Sequence, residues 1–218
     1  MQQLVMPFAS PPSYHAADFI AGEANAAAYG WVERWPDWPY SILLIHGGPG
    51  SGKTHLAHIY AQKSGGSFID PARLGKVPAD QILTGGHSWV LDGLADVASE
   101  AALAQLINHA RARGDYMLIT APSGAHDYPF QLPDLASRIK ALPSVSMGAP
   151  DDALLAGVLA KTFADLQLRI APDVLNYAIS QLERSYAAAQ QFARSINHLS
   201  LARGRAVTIP LVKEVLAA

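Results

Sequence analysis

The stretch GGPGSGKT, residues 47–54, constrains the fold of this chain more than any other segment. It matches the pattern G-x-x-x-x-G-K-[ST] at every fixed position, follows the apolar run SILLIH at 41–46, and precedes a helical segment at 53–63. Glycines let backbone N–H groups curve around phosphate oxygens, and the start of the next helix adds a positive dipole end. Strand, loop and helix in this order predict a phosphate-binding loop.

Residues in and near this loop form the predicted nucleotide site. Lys53 is expected to reach the β- and γ-phosphates, and the hydroxyl of Thr54 to ligate Mg²⁺. An acidic group is expected at the end of a neighbouring strand, where SWVLD supplies Asp92. Thr54 and Asp92 are therefore the predicted Mg²⁺ ligands. The predicted phosphate-binding residues are Gly47, Gly48, Pro49, Gly50, Ser51, Gly52, Lys53 and Thr54.

The order of predicted elements indicates an α/β layer followed by helices alone. Besides the strand before the loop, strands are predicted at 67–70, 88–91, 116–120 and 145–147. Helices among them are predicted at 21–35, 53–63, 79–83, 99–113 and 135–141. From residue 151 only helices follow, at about 151–166, 173–183, 185–203 and 210–217. This pattern predicts a parallel α/β domain with a small all-α lid, so we expect an extended tail at 1–13, the α/β domain at 14–149 and the lid at 150–218.

Composition narrows the class of protein further. The net charge of −2 means that the chain has no overall excess of basic residues with which to bind nucleic acid. The lack of cysteine excludes disulfides and thiolate chemistry. No apolar run approaches the roughly 18 residues of a membrane span. No basic residue precedes Arg34, so the start of the chain lacks the pattern of a signal peptide. We therefore expect a cytoplasmic protein with no membrane partner.

Two classes of protein fit the loop and the order of elements: a small-molecule kinase and an AAA+ ATPase with a helical lid. GKTHLAH at 52–58 resembles the phosphate-loop helix of the replication initiator DnaA, and FIAGEAN at 19–25 resembles the segment ahead of the core in DnaA-like proteins. LPDLASR at 132–138 resembles the arginine-finger segment of the Hda branch, and TIPLVKEVL at 208–216 its closing helix. In this order the stretches resemble the Hda branch of the DnaA family over the whole chain.

This resemblance implies a fold, ligands and a partner. The fold is a five-stranded parallel sheet with helices on both faces and a helical lid. Ile20 becomes a wall of the base pocket, and His55 joins the nucleotide-binding residues. The cofactors are ADP or ATP with Mg²⁺. Arg138 becomes an arginine finger that acts in trans on ATP bound to DnaA, and homo-oligomerisation stays open. The DNA-binding domain with which DnaA continues is expected to be absent.

Three positions depart from the pattern of DnaA-like ATPases. Gly93 stands where a second acid orients the attacking water, and Pro122 stands where a polar sensor residue is expected, although Thr120 and Ser123 lie nearby. Ala187 stands where the lid offers an arginine to the γ-phosphate. One such group commonly contributes about 3 kcal/mol to transition-state stabilisation. We therefore expect weak intrinsic hydrolysis and ADP as the resident nucleotide.

The opening peptide QLVMPF, residues 3–8, resembles the sliding-clamp-binding motif Q-L-x-L-P-L of Hda-like proteins. Apolar side chains fill a pocket in such a peptide, an amide supplies hydrogen bonds, and a proline holds the chain extended. The predicted clamp-binding residues are Gln3, Leu4, Met6, Pro7 and Phe8. DNA is then contacted only indirectly, through the clamp. The alternative interpretation is a strand packed on its own domain.

Three functional hypotheses remain at this stage. The first is a clamp-bound regulator of replication initiation that stimulates hydrolysis of ATP on DnaA. The second is an autonomous enzyme, either a weak DnaA-like ATPase or a phosphate-loop kinase, although the sequence has no cluster of basic residues to bind a kinase acceptor. The third is an adaptor that joins the clamp to another partner without catalysis.

Overall fold

The first part of the chain is built around a parallel sheet with apolar side chains on both faces. The computed structural model describes residues 14–204 and 206–217, and within them the sheet has five strands in the order β2-β3-β4-β1-β5. The strands are β1 (Ile42–Gly47), β2 (Ser67–Phe68), β3 (Ser88–Leu91), β4 (Tyr116–Ala121) and β5 (Ser144–Met147). All neighbouring strands are parallel, which confirms the predicted sheet.

Helices connect the strands and then make up the rest of the chain. The helices of the first part are α1 (Glu23–Glu33), α2 (Lys53–Ser64), α3 (Ala79–Ile82), α4 (Glu100–Arg113) and α5 (Pro133–Lys140). The later helices are α6 (Asp152–Asp165), α7 (Pro172–Gln181), α8 (Tyr186–Arg203) and α9 (Ile209–Leu216). Within the described ranges, no helix is both long and apolar enough to cross a membrane.

The two faces of the sheet carry separate hydrophobic clusters. In β1, Ile42 and Leu44 belong to one cluster, whereas Leu43 and Ile45 belong to the other, because successive side chains of a strand point to opposite faces. Buried residues of α3, α4 and α5 complete the first cluster, and those of α1 and α2 complete the second. The predicted arrangement of helices on both faces of the sheet is confirmed.

The chain divides into two compact units. One contains Tyr14–Phe19 and Asn25–Gly148, and the other contains Ile20–Ala24 and the residues from Ala149 onward. In the second unit α6 packs on α7 and α8, and α9 packs on the same two helices. Its core includes Leu159, Phe163, Phe192, Ile196 and Val212, so the predicted all-α lid has a hydrophobic core of its own.

Side-chain caps explain the starts of three helices. The side chains of Ser99, Asp151 and Ser185 accept hydrogen bonds from backbone N–H groups of α4, α6 and α8 at 3.3, 2.7 and 3.1 Å. Three short 3₁₀ helices were not predicted, because three residues are too few for a hydrophobic period to be visible. One of them, at Pro71–Arg73, follows β2 closely, and β2 is shorter than the predicted strand 67–70. The Asp70 carboxylate accepts the backbone N–H of Ala72 at 2.9 Å, and the chain turns there.

The side chain of Tyr60 on α2 generates a prediction about stability. It is fully buried, stacks on Trp38 with ring centroids 5.2 Å apart, and its hydroxyl accepts a hydrogen bond from Ser88 Oγ at 2.7 Å. Burial raises the pKa of Tyr60 to about 12. Because this exceeds the unfolded value of about 10, the folded protein keeps the phenolic proton that the unfolded chain loses, and stability falls as pH rises from 10 to 12.

We therefore predict that the free energy of unfolding falls more steeply with alkaline pH in the wild type than in Tyr60→Phe, by roughly 1–3 kcal/mol between pH 9 and pH 12. At pH 8 the variant should be less stable by about 1 kcal/mol, because a buried hydrogen bond is lost. Urea unfolding at several pH values measures both effects. Parallel pH profiles for the two proteins would contradict the prediction.

Candidate functional site

The loop 48–52 joins the end of β1 to the start of α2, as the strand–loop–helix pattern predicted. Gly52 has φ 96°, a conformation that side chains disfavour, and a Cβ there would lie only 3.3 Å from Phe19 Cε2. Since Gly52 is the residue at the helix start, no side chain caps α2 there. The first backbone N–H groups of a helix attract anions, so this start suits phosphate oxygens.

Lys53 folds back over the loop that precedes it. Its ammonium nitrogen donates to the carbonyl oxygens of Gly47 at 2.7 Å and Gly48 at 2.8 Å, and it lies 3.4 Å from Ser51 Oγ. Burial lowers the pKa of Lys53, while the carboxylate of Asp92 opposes that shift. The ammonium group is thus held against the loop by uncharged carbonyl oxygens, which keeps a positive charge at the predicted phosphate site.

Asp92 connects the loop helix to two strands. Its Oδ2 accepts a hydrogen bond from Thr54 Oγ1 at 2.9 Å, and its Oδ1 accepts one from Thr120 Oγ1 at 2.6 Å. Thr120 in turn accepts the backbone N–H of Gly93 at 2.9 Å. A hydroxyl and a carboxylate oxygen in contact form the kind of ligand set that Mg²⁺ prefers, so the two predicted Mg²⁺ ligands lie together and fit the ion.

Thr120 is the residue of this site to which the sequence analysis assigned no role. The predicted sensor position was Pro122, and Thr120 was expected only to lie near it. The available signal was a threonine near the end of the apolar strand YMLITA, beside the strand that ends at Asp92. The register of β3 and β4 pairs Leu91 with Ile119, which places the next residue of each strand side by side.

Gly93 has a structural reason to be glycine. Its φ is 98°, and a Cβ built on it would lie 2.4 Å from Oδ2 of Asp96, closer than real contacts allow. A second acid at position 93 would therefore require both a strained backbone and movement of Asp96. The departure noted in the sequence corresponds to a local conformation that excludes a side chain, and the nearby carboxylate comes from Asp96 instead.

Aromatic rings surround the histidines of α2. Nε2 of His55 lies 2.9 Å from the carbonyl oxygen of His15, and its ring meets the ring of Phe19 edge-on at 5.3 Å. His58 stacks on Tyr14 with centroids 4.1 Å apart. Among the described residues no group of three His, Cys, Asp or Glu side chains could hold a metal ion. His55 therefore contacts the segment that precedes α1, and its nucleotide contact stays a prediction.

The other predicted residues lie in separate places. Ile20 belongs to the unit that contains the lid. There it packs against Gly157 so closely that a Cβ atom added to Gly157 would lie 3.1 Å from Cγ2 of Ile20. Pro122 follows β4 directly, and Ala187 is exposed near the start of α8. The predicted clamp-binding residues at 3–8 lie outside the described part of the chain.

Arg138 lies on α5 with its side chain about one-third exposed (33%). Its Nε donates to Asp134 Oδ2 at 2.8 Å, and its Nη1 donates to Asn108 Oδ1 on α4. Within residues 14–204 and 206–217, the side chain of Arg138 makes no hydrogen bond to the phosphate loop. The guanidinium group is therefore held between α4 and α5, and its role as an arginine finger stays a prediction.

Known proteins share both the lid sequence and the fold. Residues 152–216 match the family model of the Hda lid domain. Domain III of the Thermotoga maritima replication initiation protein DnaA superposes with a TM-score of 0.79 at 18% identity, over 95% of this chain and 97% of that chain. AMPPCP-bound DnaA from Aquifex aeolicus has a TM-score of 0.68 at 17% identity, over 90% of this chain and 68% of that one.

The fold is also similar to that of a more distant motor protein. The Thermotoga maritima RuvB Holliday junction branch migration motor has a TM-score of 0.69 at 14% identity, over 94% of this chain and 72% of that chain. At these identities the solved structures establish the fold, and the lid match adds a sequence relationship. This chain therefore has the fold of DnaA domain III, and its residues 152–216 are similar in sequence to the Hda lid domain.

Proposed function

We propose that this chain binds an adenine nucleotide with Mg²⁺ at the loop 48–52. The proposal is supported by the uncapped start of α2, by the Lys53 ammonium group inside the loop and by the contact between Thr54 and Asp92. Two DnaA structures with this fold contain bound AMPPCP, an ATP analogue. Lys53 would neutralise phosphate charge, and Thr54 and Asp92 would hold Mg²⁺, which supplies further charge neutralisation when bound.

The function we propose is regulation of replication initiation by stimulated hydrolysis of ATP on DnaA. The observation that carries it is Arg138, whose partly exposed guanidinium bonds to Asp134 and Asn108 and so sits outside its own phosphate loop. An arginine inserted beside another subunit's γ-phosphate stabilises developing negative charge and can accelerate hydrolysis about 10³–10⁵-fold. In this scheme the chain supplies one missing group to a nucleotide site on its partner.

Weak hydrolysis at the chain's own site is part of the proposal. The backbone at Gly93 excludes a side chain that would orient water, and Pro122 follows β4 where a polar side chain would help. Asp92 and Thr120 are hydrogen-bonded to each other. We assign them to binding of the Mg²⁺ ligand and not to orientation of the attacking water. We propose ADP as the resident nucleotide, which would make the bound nucleotide a structural component.

The residues Gln3, Leu4, Met6, Pro7 and Phe8 are proposed to bind the DNA polymerase sliding clamp. An extended peptide with an amide, apolar side chains and a proline suits a pocketed groove on a partner. Tethering at the clamp would raise the local concentration of Arg138 near DnaA on DNA, without any direct contact between this chain and DNA.

A second candidate is a weak autonomous ATPase. The observation that favours it is the carboxylate of Asp96, which lies against Gly93 beside the Asp92 network. An acid in this region could substitute for the one missing at position 93. A kinase or a purely non-catalytic adaptor has no comparable observation in the described residues.

The first prediction concerns Arg138. Arg138→Ala should abolish stimulated hydrolysis of DnaA-bound ATP while clamp binding and the unfolding midpoint stay unchanged, because the side chain is at the surface. The measurement is phosphate release from DnaA preloaded with ATP, in the presence of DNA-loaded clamp. Arg111→Ala, an exposed arginine of α4, is the matched control and should behave as the wild type. Undiminished stimulation by the Arg138 variant would refute the proposed role.

The second prediction concerns the resident nucleotide. Denatured samples of freshly purified protein should release mostly ADP, and Lys53→Ala should release about ten-fold less or none, because the ammonium group in the loop is lost. Lys63→Ala, at the other end of α2, is the control and should retain nucleotide. Chromatography of the released nucleotide gives the answer. Mostly ATP, or rapid turnover without DnaA, would contradict the proposal.

The third prediction concerns the tail. Deletion of residues 1–8 should abolish binding to the sliding clamp in a pull-down or surface-binding assay, with an unchanged unfolding midpoint. A variant with residues 3–8 in scrambled order is the control for length and composition, and it should also fail to bind. Loss of cooperative unfolding in the truncated protein would mean that the peptide is part of the core and not a tether.

A further inference from the structure

The start of α5 is held by a residue of another helix. The residue at the helix start, Leu132, provides no side-chain cap, and Pro133 follows it. Instead, the carboxylate of Glu100 on α4 accepts the backbone N–H of Gln131 at 2.9 and 3.0 Å and that of Leu132 at 2.7 Å. A carboxylate at a helix start satisfies free N–H groups and complements the helix dipole. Glu100 therefore fixes where α5 begins.

The other end of α5 is also tied to α4. Arg138 bonds to Asn108, which lies eight residues after Glu100 and hence about 12 Å along the same helix. Helix α4 is itself anchored, because Leu103, Leu106 and Ile107 are buried in the core. A fixed helix thus holds α5 at the residue where it starts and at the arginine that it carries.

Within the described part of the chain, the hydrogen bonds of Arg138 involve two of the three guanidinium nitrogens. Nε bonds to Asp134 one turn earlier, and Nη1 bonds to Asn108. Nη2 has no hydrogen-bond partner within the residues that the structure describes. The guanidinium plane is fixed by two bonds, and its third nitrogen is available to a ligand. This is an oriented donor, in contrast to a flexible surface arginine.

We propose that Glu100 and Asp134 are positioning residues for Arg138, and that they present Nη2 to the γ-phosphate of ATP bound by the partner. The inference rests on the proposed function of Arg138 and adds residues that act through it. Glu100 sets the position of the helix, and Asp134 sets the rotation of the guanidinium group. Neither side chain needs to touch the partner's nucleotide.

The expected effect is on rate rather than on binding. Misplacement of a catalytic group by about 1 Å can reduce a rate roughly 100-fold, whereas docking of the two proteins uses a larger surface. The exposed pair between Asp134 and Arg138 contributes little to stability, since its side chains are 70% and 33% exposed, so its loss should not unfold the protein. A loss of rate in that variant would therefore report orientation.

The test uses full-length variants with DnaA preloaded with ATP and with DNA-loaded clamp. Stimulated phosphate release is measured over a range of variant concentrations, which separates the maximal rate from the half-saturating concentration. Asp134→Ala and Glu100→Ala should each lower the maximal rate about ten-fold or more, with the half-saturating concentration unchanged. Asp134→Asn keeps an oxygen that accepts from Nε, and it should retain most of the rate.

Two control variants exclude general effects of losing a cap or an ion pair. Ser185→Ala removes the cap of α8, a helix that carries neither positioning residue, and Asp165→Ala breaks the exposed pair with Lys161, which has the same spacing as the pair at Arg138. Both should keep the wild-type rate. Equal losses in control and test variants would overturn the inference, as would equal rates for Asp134→Asn and Asp134→Ala.

The result for Arg138→Ala distinguishes the two levels of the proposal. If that variant is inactive and both Asp134→Ala and Glu100→Ala are fully active, the positioning role is wrong and the proposed function stands. If Arg138→Ala is fully active, both are wrong. Circular dichroism checks folding, and should Glu100→Ala unfold, the comparison of Asp134→Ala with Asp134→Asn decides the inference by itself.

Discussion

The carboxylate of Asp92 is the group on which the geometry of the candidate nucleotide site depends. One oxygen binds Thr54 at the start of α2 and the other binds Thr120 at the end of β4. Because Asp92 directly follows β3, these bonds join two strands and the loop helix at one edge of the sheet. The parallel register of β1 beside β4 brings the loop to the same edge, as expected for ligand sites in such sheets.

Local patterns predicted the architecture well because the relevant signals are short. The glycine loop and the apolar runs each lie within a few residues, and the elements they predict are present. The contacts that orient the site are different. Thr120 reaches Asp92 across 28 residues, and Glu100 reaches Leu132 across 32, so no local period or motif reveals them. Their detection requires strand register and helix packing, which sequence analysis of one chain does not provide.

The same structure suggests a division of roles between two parts of the first unit. Around Asp92 the residues suit holding phosphate and Mg²⁺, whereas Gly93 adopts a backbone conformation that excludes a water-orienting side chain. On α5, Arg138 is held by Asp134 and Asn108, and among the residues that the structure describes its third guanidinium nitrogen has no partner. In our account the first region retains a nucleotide, and the second acts on the nucleotide of a partner. We propose on this basis that the protein regulates hydrolysis of ATP on its partner and hydrolyses ATP slowly itself.

Phosphate release measured with one component omitted at a time tests this account most directly. The complete mixture contains this chain, the DNA-loaded sliding clamp and DnaA preloaded with γ-labelled ATP, so that labelled phosphate originates only from DnaA. The account predicts rapid release in the complete mixture and slow release when the chain, the clamp or the DNA is left out. Equal release with and without this chain would contradict the central claim, and so would rapid hydrolysis of added ATP by this chain alone.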